Sequence, residues 1–154
     1  MPLYIKKNKW LSGFTLVEMV VVIVIVGILA IVALPRFADQ SAFESRGFYD
    51  ETLSALRYAQ KTAVAQRRQV CASFTTSSVT LRIAANFGGA CDTDLTSTNG
   101  SVPYTVSARG AIQYSTVPTA ITFNPDGSAS QAVSIQVNGA ANVITVVAET
   151  GYVY

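Results

Sequence analysis

Few residues in this chain could do chemistry, and they are unevenly placed. There is no histidine among the 154 residues, which removes the commonest general base and the commonest zinc ligand. Glu18 is the single charge in the apolar stretch from Phe14 to Leu34. A carboxylate in such a setting costs about 2.5–3.5 kcal/mol at the centre of a membrane helix and less toward an end, so it calls for a partner or a route to water. Cys71 and Cys91 both follow the apolar run, with 19 residues between them. An even count beyond an export-type segment favours a disulfide in an oxidising compartment, with two free thiols as the alternative. Two cysteines without histidine are too few to hold a metal. Asp92 and Asp94 offer two carboxylates where calcium takes six to eight oxygens, so they read as a solvated loop. Arg67-Arg68 could attract an anion, but the pair falls where a helix should end, and cations are favoured there by the helix dipole. No Walker-type glycine loop or zinc spacing occurs. The residues therefore form no catalytic constellation and imply no cofactor or metal.

The elements that must position these groups begin with the apolar run. Half of the residues are hydrophobic and only 13% are charged, with the excess concentrated between Phe14 and Leu34. As a helix these 21 residues would extend roughly 30 Å, enough to cross the hydrocarbon core. Lys6, Lys7 and Lys9 precede them, which predicts a cytoplasmic N-terminus and an exported C-terminal domain. A cleavable secretory signal would have a shorter apolar region ending in a small-residue site, whereas this run ends in Ala33-Leu34-Pro35-Arg36-Phe37. A plain signal anchor would leave Glu18 unexplained. The formal charge of +2 is set by the leader: beyond residue 13, eight basic and nine acidic side chains remain. That balance gives no bias toward nucleic acid.

Gly13-Phe14-Thr15-Leu16-Val17-Glu18, followed by an uninterrupted hydrophobic helix, resembles the processing motif of type IV prepilins and general-secretion pseudopilins. The resemblance covers about the first fifth of the chain. It implies cleavage between Gly13 and Phe14 by a prepilin peptidase and N-methylation of the new Phe14 amine. It also implies that Glu18 pairs with that amine, in a neighbouring subunit or in its own. Cleavage would place a fixed positive charge about one helical turn from Glu18, and a buried carboxylate is tolerable with such a partner. Only a neighbour at the right axial offset supplies the amine, so the pair would act as a register device for assembly. The implied setting is the bacterial inner membrane, crossed once, with the C-terminal domain in the periplasm. Partners would be other pilin or pseudopilin subunits and an inner-membrane assembly platform.

Pro35 removes an N–H from the helical pattern and crowds the preceding turn, so it marks either a kink or the end of the membrane helix. Beyond it, Phe48 to Gln66 has good helix formers and a face of Tyr49, Leu53, Leu56, Ala59 and Ala63, spaced by three and four residues. From Gln69 onward short β-like runs take over. Gln69–Phe74 and Val79–Ala84 flank a turn and predict a hairpin. Residues 86–110 read as a long loop. Ala120–Phe123, Val133–Val137, Val143–Ala148 and Gly151–Tyr154 follow, separated by Asn124-Pro125-Asp126-Gly127 and a loop starting Asn138-Gly139, whose residues suit turns. The expected fold is α+β: a long N-terminal helix packed on a mostly antiparallel sheet, the pilin fold. Its divisions are a leader (1–13), a transmembrane helix (14–34), an amphipathic continuation (35–68) and an exported β-rich domain (69–154). Phe48–Leu53 and Arg57–Lys61 also resemble minor pilins of the mannose-sensitive haemagglutinin (MSHA) pilus and the minor pseudopilins of type II secretion, and Phe123–Gly127 resembles a turn of the same minor pseudopilin group.

The function this implies is that of a minor pilin-like subunit of a type IV pilus or a type II secretion pseudopilus, with the assembly-initiating tip complex as one possible place. An alternative is a tip pilin that binds surfaces or DNA. Related DNA-uptake pilins carry a basic Gly-Arg-x-Arg motif near the C-terminus, where this chain has Gly151-Tyr152-Val153-Tyr154, which argues against DNA. A membrane-anchored exported enzyme is the weakest alternative, given the missing histidine.

Overall fold

The computed structural model describes the backbone of residues 13–38 and 40–154, and the side chains of these outside 32–38. Most of the expected leader, residues 1–12, and the side chain of Pro35 thus lie outside the described residues. The chain divides into two compact units, Met1–Ala38 and Asp39–Tyr154.

The first unit contains helix α1, Leu16–Ala38. Valine and isoleucine dominate it, and both are only moderate helix formers. The backbone stays helical through position 35 and on to Ala38. Every described side chain of α1 is exposed. Among the described residues no helix is long and apolar enough to cross a membrane. The side chains described in α1 stop at Ile31, short of the about 20 residues a span requires.

The second unit opens with helix α2, Gln40–Gln66. Its buried face is Ser45, Phe48, Thr52, Ala55, Leu56, Ala59, Thr62 and Ala63. The expected face is therefore rotated: Tyr49 and Leu53 are only half-buried, at the flank of the core. Small side chains at 55, 59 and 63 let the helix approach the sheet closely, and the larger residues cover the rim. The helix ends in a Schellman arrangement. Arg68 N–H donates to the Ala63 carbonyl at 3.2 Å and Arg67 N–H to the Val64 carbonyl at 3.3 Å. Arg67 takes the left-handed conformation, φ 51°, that glycine usually fills at this position.

Strands β1 (Val70–Phe74) and β2 (Ser78–Ile83) form the expected antiparallel hairpin, in register from Val70↔Ile83 to Phe74↔Val79. Strand β3 (Thr93–Asp94) and strand β4 (Tyr104–Ser107) both pair with the far side of β2. The expected long loop over 86–110 is thus corrected: it carries two strands. Only Val106 among their residues is buried, so they lack the apolar alternation that reveals a strand. Strand β5 (Ile121–Phe123) flanks β1. Strands β6 (Val133–Gln136) and β7 (Val143–Val146) form a separate antiparallel pair. Gly151–Tyr154, expected as a strand, contributes a single bridge, Val153 to Val146.

Helix α2 packs on β1, β2, β4 and β5. Leu56, Leu81, Ile121 and Phe123, with Ile135 of β6 and Ile144 of β7, are fully buried in one core, each contributing about 1.5–3 kcal/mol by leaving water. One polar pair crosses this core: the Thr52 and Tyr114 hydroxyls lie 3.1 Å apart. The Tyr114 ring packs on Phe48 and Phe74, with centroids at 4.9 and 5.7 Å. Among the described residues no buried side-chain polar atom lacks a partner.

Candidate processing and assembly site

The start of α1 is set by a side chain. Glu18 N–H donates to the Thr15 hydroxyl at 3.2 Å, and Met19 N–H donates to the Thr15 carbonyl at 3.2 Å. Thr15 is therefore the N-cap and Glu18 the third helical residue. A threonine cap satisfies one of the amides that a helix start leaves unpaired. A carboxylate in the first turn is favoured by the helix dipole. Gly13 and Phe14 fall immediately outside the cap, in non-helical backbone, and Phe14 is 75% exposed. The two residues flanking the expected scissile bond are thus accessible, and Glu18 sits one turn along. The role of Thr15 is absent from the expectations above; its signal is the Thr-x-x-Glu spacing of a capping box.

The other expected positions lie in the second unit. Cys71 and Cys91 are joined as a disulfide, Cα atoms 6.0 Å apart, which pins the segment before β3 to β1. Asp94 pairs with the Arg82 guanidinium at 3.0 Å, and Arg82 also donates to the Asp92 carbonyl at 3.0 Å. Among the described residues no cluster of three or more histidine, cysteine or acidic groups could hold a metal. Arg67 and Arg68 form the helix cap, and Arg68 donates to the Ala85 carbonyl at 3.0 Å. In the C-terminal segment Val153 is buried, its carbonyl accepting from Arg57 Nε at 3.0 Å. Tyr152 and Tyr154 are exposed and stacked at 5.7 Å. Burial pushes the Tyr114 phenol up to about 12, although its bond to Thr52 pulls the other way. The Asp126 carboxyl is held below its ordinary value by the Ser128 hydroxyl and N–H.

Residues 50–151 match the sequence model of the type II transport protein GspH. The chain belongs to the GspH family. Residues 12–34 of this GspH-family chain match the prokaryotic N-terminal methylation motif, so it is a pseudopilin, a chain of the type IV pilin kind. The type IV narrow pilus major component PilA5 of Thermus thermophilus is 41% identical over 59 residues, 38% of this chain and 51% of that protein. A fimbrial protein of Pseudomonas aeruginosa is 35% identical over 64 residues, 42% of each chain. The GspH-family chain thus spans about half, or less, of the length of these relatives. A crystal structure of the type IV minor pilin FimU of Pseudomonas aeruginosa is similar, with a TM-score of 0.48 at 14% identity. That likeness covers 71% of this chain and 90% of the other.

Proposed function

We propose that this pseudopilin is a minor subunit clipped between Gly13 and Phe14 by a prepilin peptidase and methylated on the new Phe14 amine. It is held in the inner membrane by Phe14–Leu34, with the second unit in the periplasm, until an assembly platform draws it into a type IV pilus or a type II secretion pseudopilus. The observation that carries this reading is a helix apolar on every described side, capped by Thr15, with Phe14 exposed before it and Glu18 in its first turn. Such a helix is stable only in lipid or among other apolar helices. Exchanging the first environment for the second brings little hydrophobic gain, so packing and the Glu18–amine pair must give assembly its direction. Pro35 lacks the amide N–H that a helix would use at that position, so the helix would yield there under load. The role is mechanical, and no catalytic step is assigned to any residue.

N-terminal sequencing of the exported form tests the reading. It should begin at methylated Phe14, and a working protein that keeps its first thirteen residues would overturn it. Glu18→Ala should enter filaments poorly while still being clipped; incorporation equal to the parent removes the register role.

A further inference from the structure

Nearly every sheet edge in the second unit is covered or blunted. The outer side of β5 is closed by residues 128–130, with Ser130 N–H donating to the Thr122 carbonyl at 2.8 Å. Ser115 N–H closes on the Gln136 carbonyl beside β6 at 2.9 Å, and Thr145 and Tyr154 exchange two main-chain bonds beside β7. Strand β3 has only two residues and carries the Arg82–Asp94 ion pair, a device that blunts an edge.

The edge of β4 is different. Ala108 N–H donates to the Ser77 carbonyl at 2.8 Å, which sets the alternation of the ladder. The main-chain groups of Val106 face β2, and those of Thr105 and Ser107 face away. The Thr80 and Thr105 hydroxyls, 3.0 Å apart, fit the close side-chain approach of a non-hydrogen-bonded pair. Among the described residues no main-chain bond reaches the outward groups of Thr105 or Ser107. These two residues line a cavity of about 420 Å³ whose other walls are Asp50, Glu51 and Ser54 of α2 and the loop from Ser97 to Ser101. A smaller cavity of about 170 Å³ shares Glu51 and Ser107 and adds Glu44 and Arg109. Neither Asp50 nor Glu51 has an ion-pair partner among the described residues.

We propose that this groove is a strand-addition site, and that its occupant is an extended segment of a different protein carrying a lysine or arginine side chain. Its main chain would pair with the outward N–H and C=O groups of Thr105 and Ser107, as in other cases of β-augmentation. Its basic side chain would lie against Asp50 and Glu51, where a concave acidic wall concentrates the field. A four-residue strand such as β4 offers about 13 Å of edge, room for one such segment. The proposal does not depend on N-terminal clipping, which concerns the other unit, so the two can fail separately.

The test uses the full chain in detergent micelles and the acetylated, amidated peptide Thr-Val-Thr-Lys-Thr-Val-Thr at up to millimolar concentration. Amide exchange of Thr105 and Ser107, followed by NMR, should slow by about tenfold or more. The same peptide with glutamate in place of lysine should protect far less. Asp50→Asn with Glu51→Gln, both surface changes that leave the core intact, should weaken the lysine peptide roughly fivefold. Thr105→Pro should remove protection at the edge, because a proline there blocks only the outward amide. No slowing at millimolar peptide overturns the site, and equal slowing by both peptides overturns its basic specificity. Slowing that rises with protein concentration in the absence of peptide seats a second copy there and overturns the proposed occupant.

Discussion

Helices α1 and α2 follow one another in the chain and are built on opposite principles. In α1 every described side chain is exposed, and those from Leu16 to Ile31 are almost all large and apolar. Helix α2 carries mostly polar residues outside one face, and that face, Phe48, Thr52, Ala55, Leu56, Ala59 and Ala63, is buried against the sheet. The stability of α2 comes from its own unit, whereas α1 must be stabilised by something outside the chain. In this protein, then, the second unit should resist point changes according to its packing, and α1 according to its surroundings.

The strongest way to break that division is Phe123→Ala. It empties the centre of the core and should cost about 3–5 kcal/mol. Urea unfolding in detergent should show a lowered midpoint for the second unit while the helical signal of α1 persists; loss of both together would mean that the units are not independent. Next in size is Cys71→Ser with Cys91→Ser, which should lose about 3 kcal/mol on the loop-entropy model, again in the second unit alone. Intact mass with and without reductant checks the bridge itself.

Tyr114 sharpens the comparison through pH. Its folded phenol ionises at about 12 against an ordinary 10.0, so the neutral form is favoured by folding. Its contribution is fully present below pH 10 and is lost as pH rises toward 12. Absorbance of tyrosinate during alkaline unfolding should show this loss in the parent and a smaller one in Tyr114→Phe, which at neutral pH should cost about 1 kcal/mol. Thr15→Ala is the corresponding change in α1. It removes the N-cap, worth about 1 kcal/mol, and should fray only the first turn, read as faster exchange of the Glu18 amide. The smallest effect is expected from Arg82→Ala, whose exposed ion pair with Asp94 is worth at most about 1 kcal/mol and is screened by salt.

Much of this was readable from residue order because the strongest signals are local. The apolar run around Glu18 and the glycine–phenylalanine step need no tertiary context. The β1–β2 hairpin was equally plain, since Val70, Ala72, Val79 and Leu81 alternate inward about a polar turn. Helix α2 was recognisable, but its exact face was not. A reading by hydrophobicity favours Tyr49 and Leu53, whereas the sheet accepts Thr52 because Tyr114, far along the chain, satisfies its hydroxyl. Strands β3 and β4 were hidden for a related reason. Thr93, Asp94, Thr105 and Ser107 are exposed and polar, and only their pairing with β2 makes them strands. At the N-terminal site the glycine–phenylalanine step and Glu18 stand out by residue type, whereas the contribution of Thr15 is a single bond to a backbone amide.

The disulfide would have a consequence in the proposed filament. Cys71 and Cys91 are 20 positions apart, and fully extended chain spans about 3.3–3.6 Å per residue. If a filament under tension pulled the second unit open, the bridge would keep β2 and the segment up to Cys91 out of the force path. Roughly 60 Å of slack would then stay locked away, and the subunit would lengthen by that much less than its reduced form before force reached its neighbours.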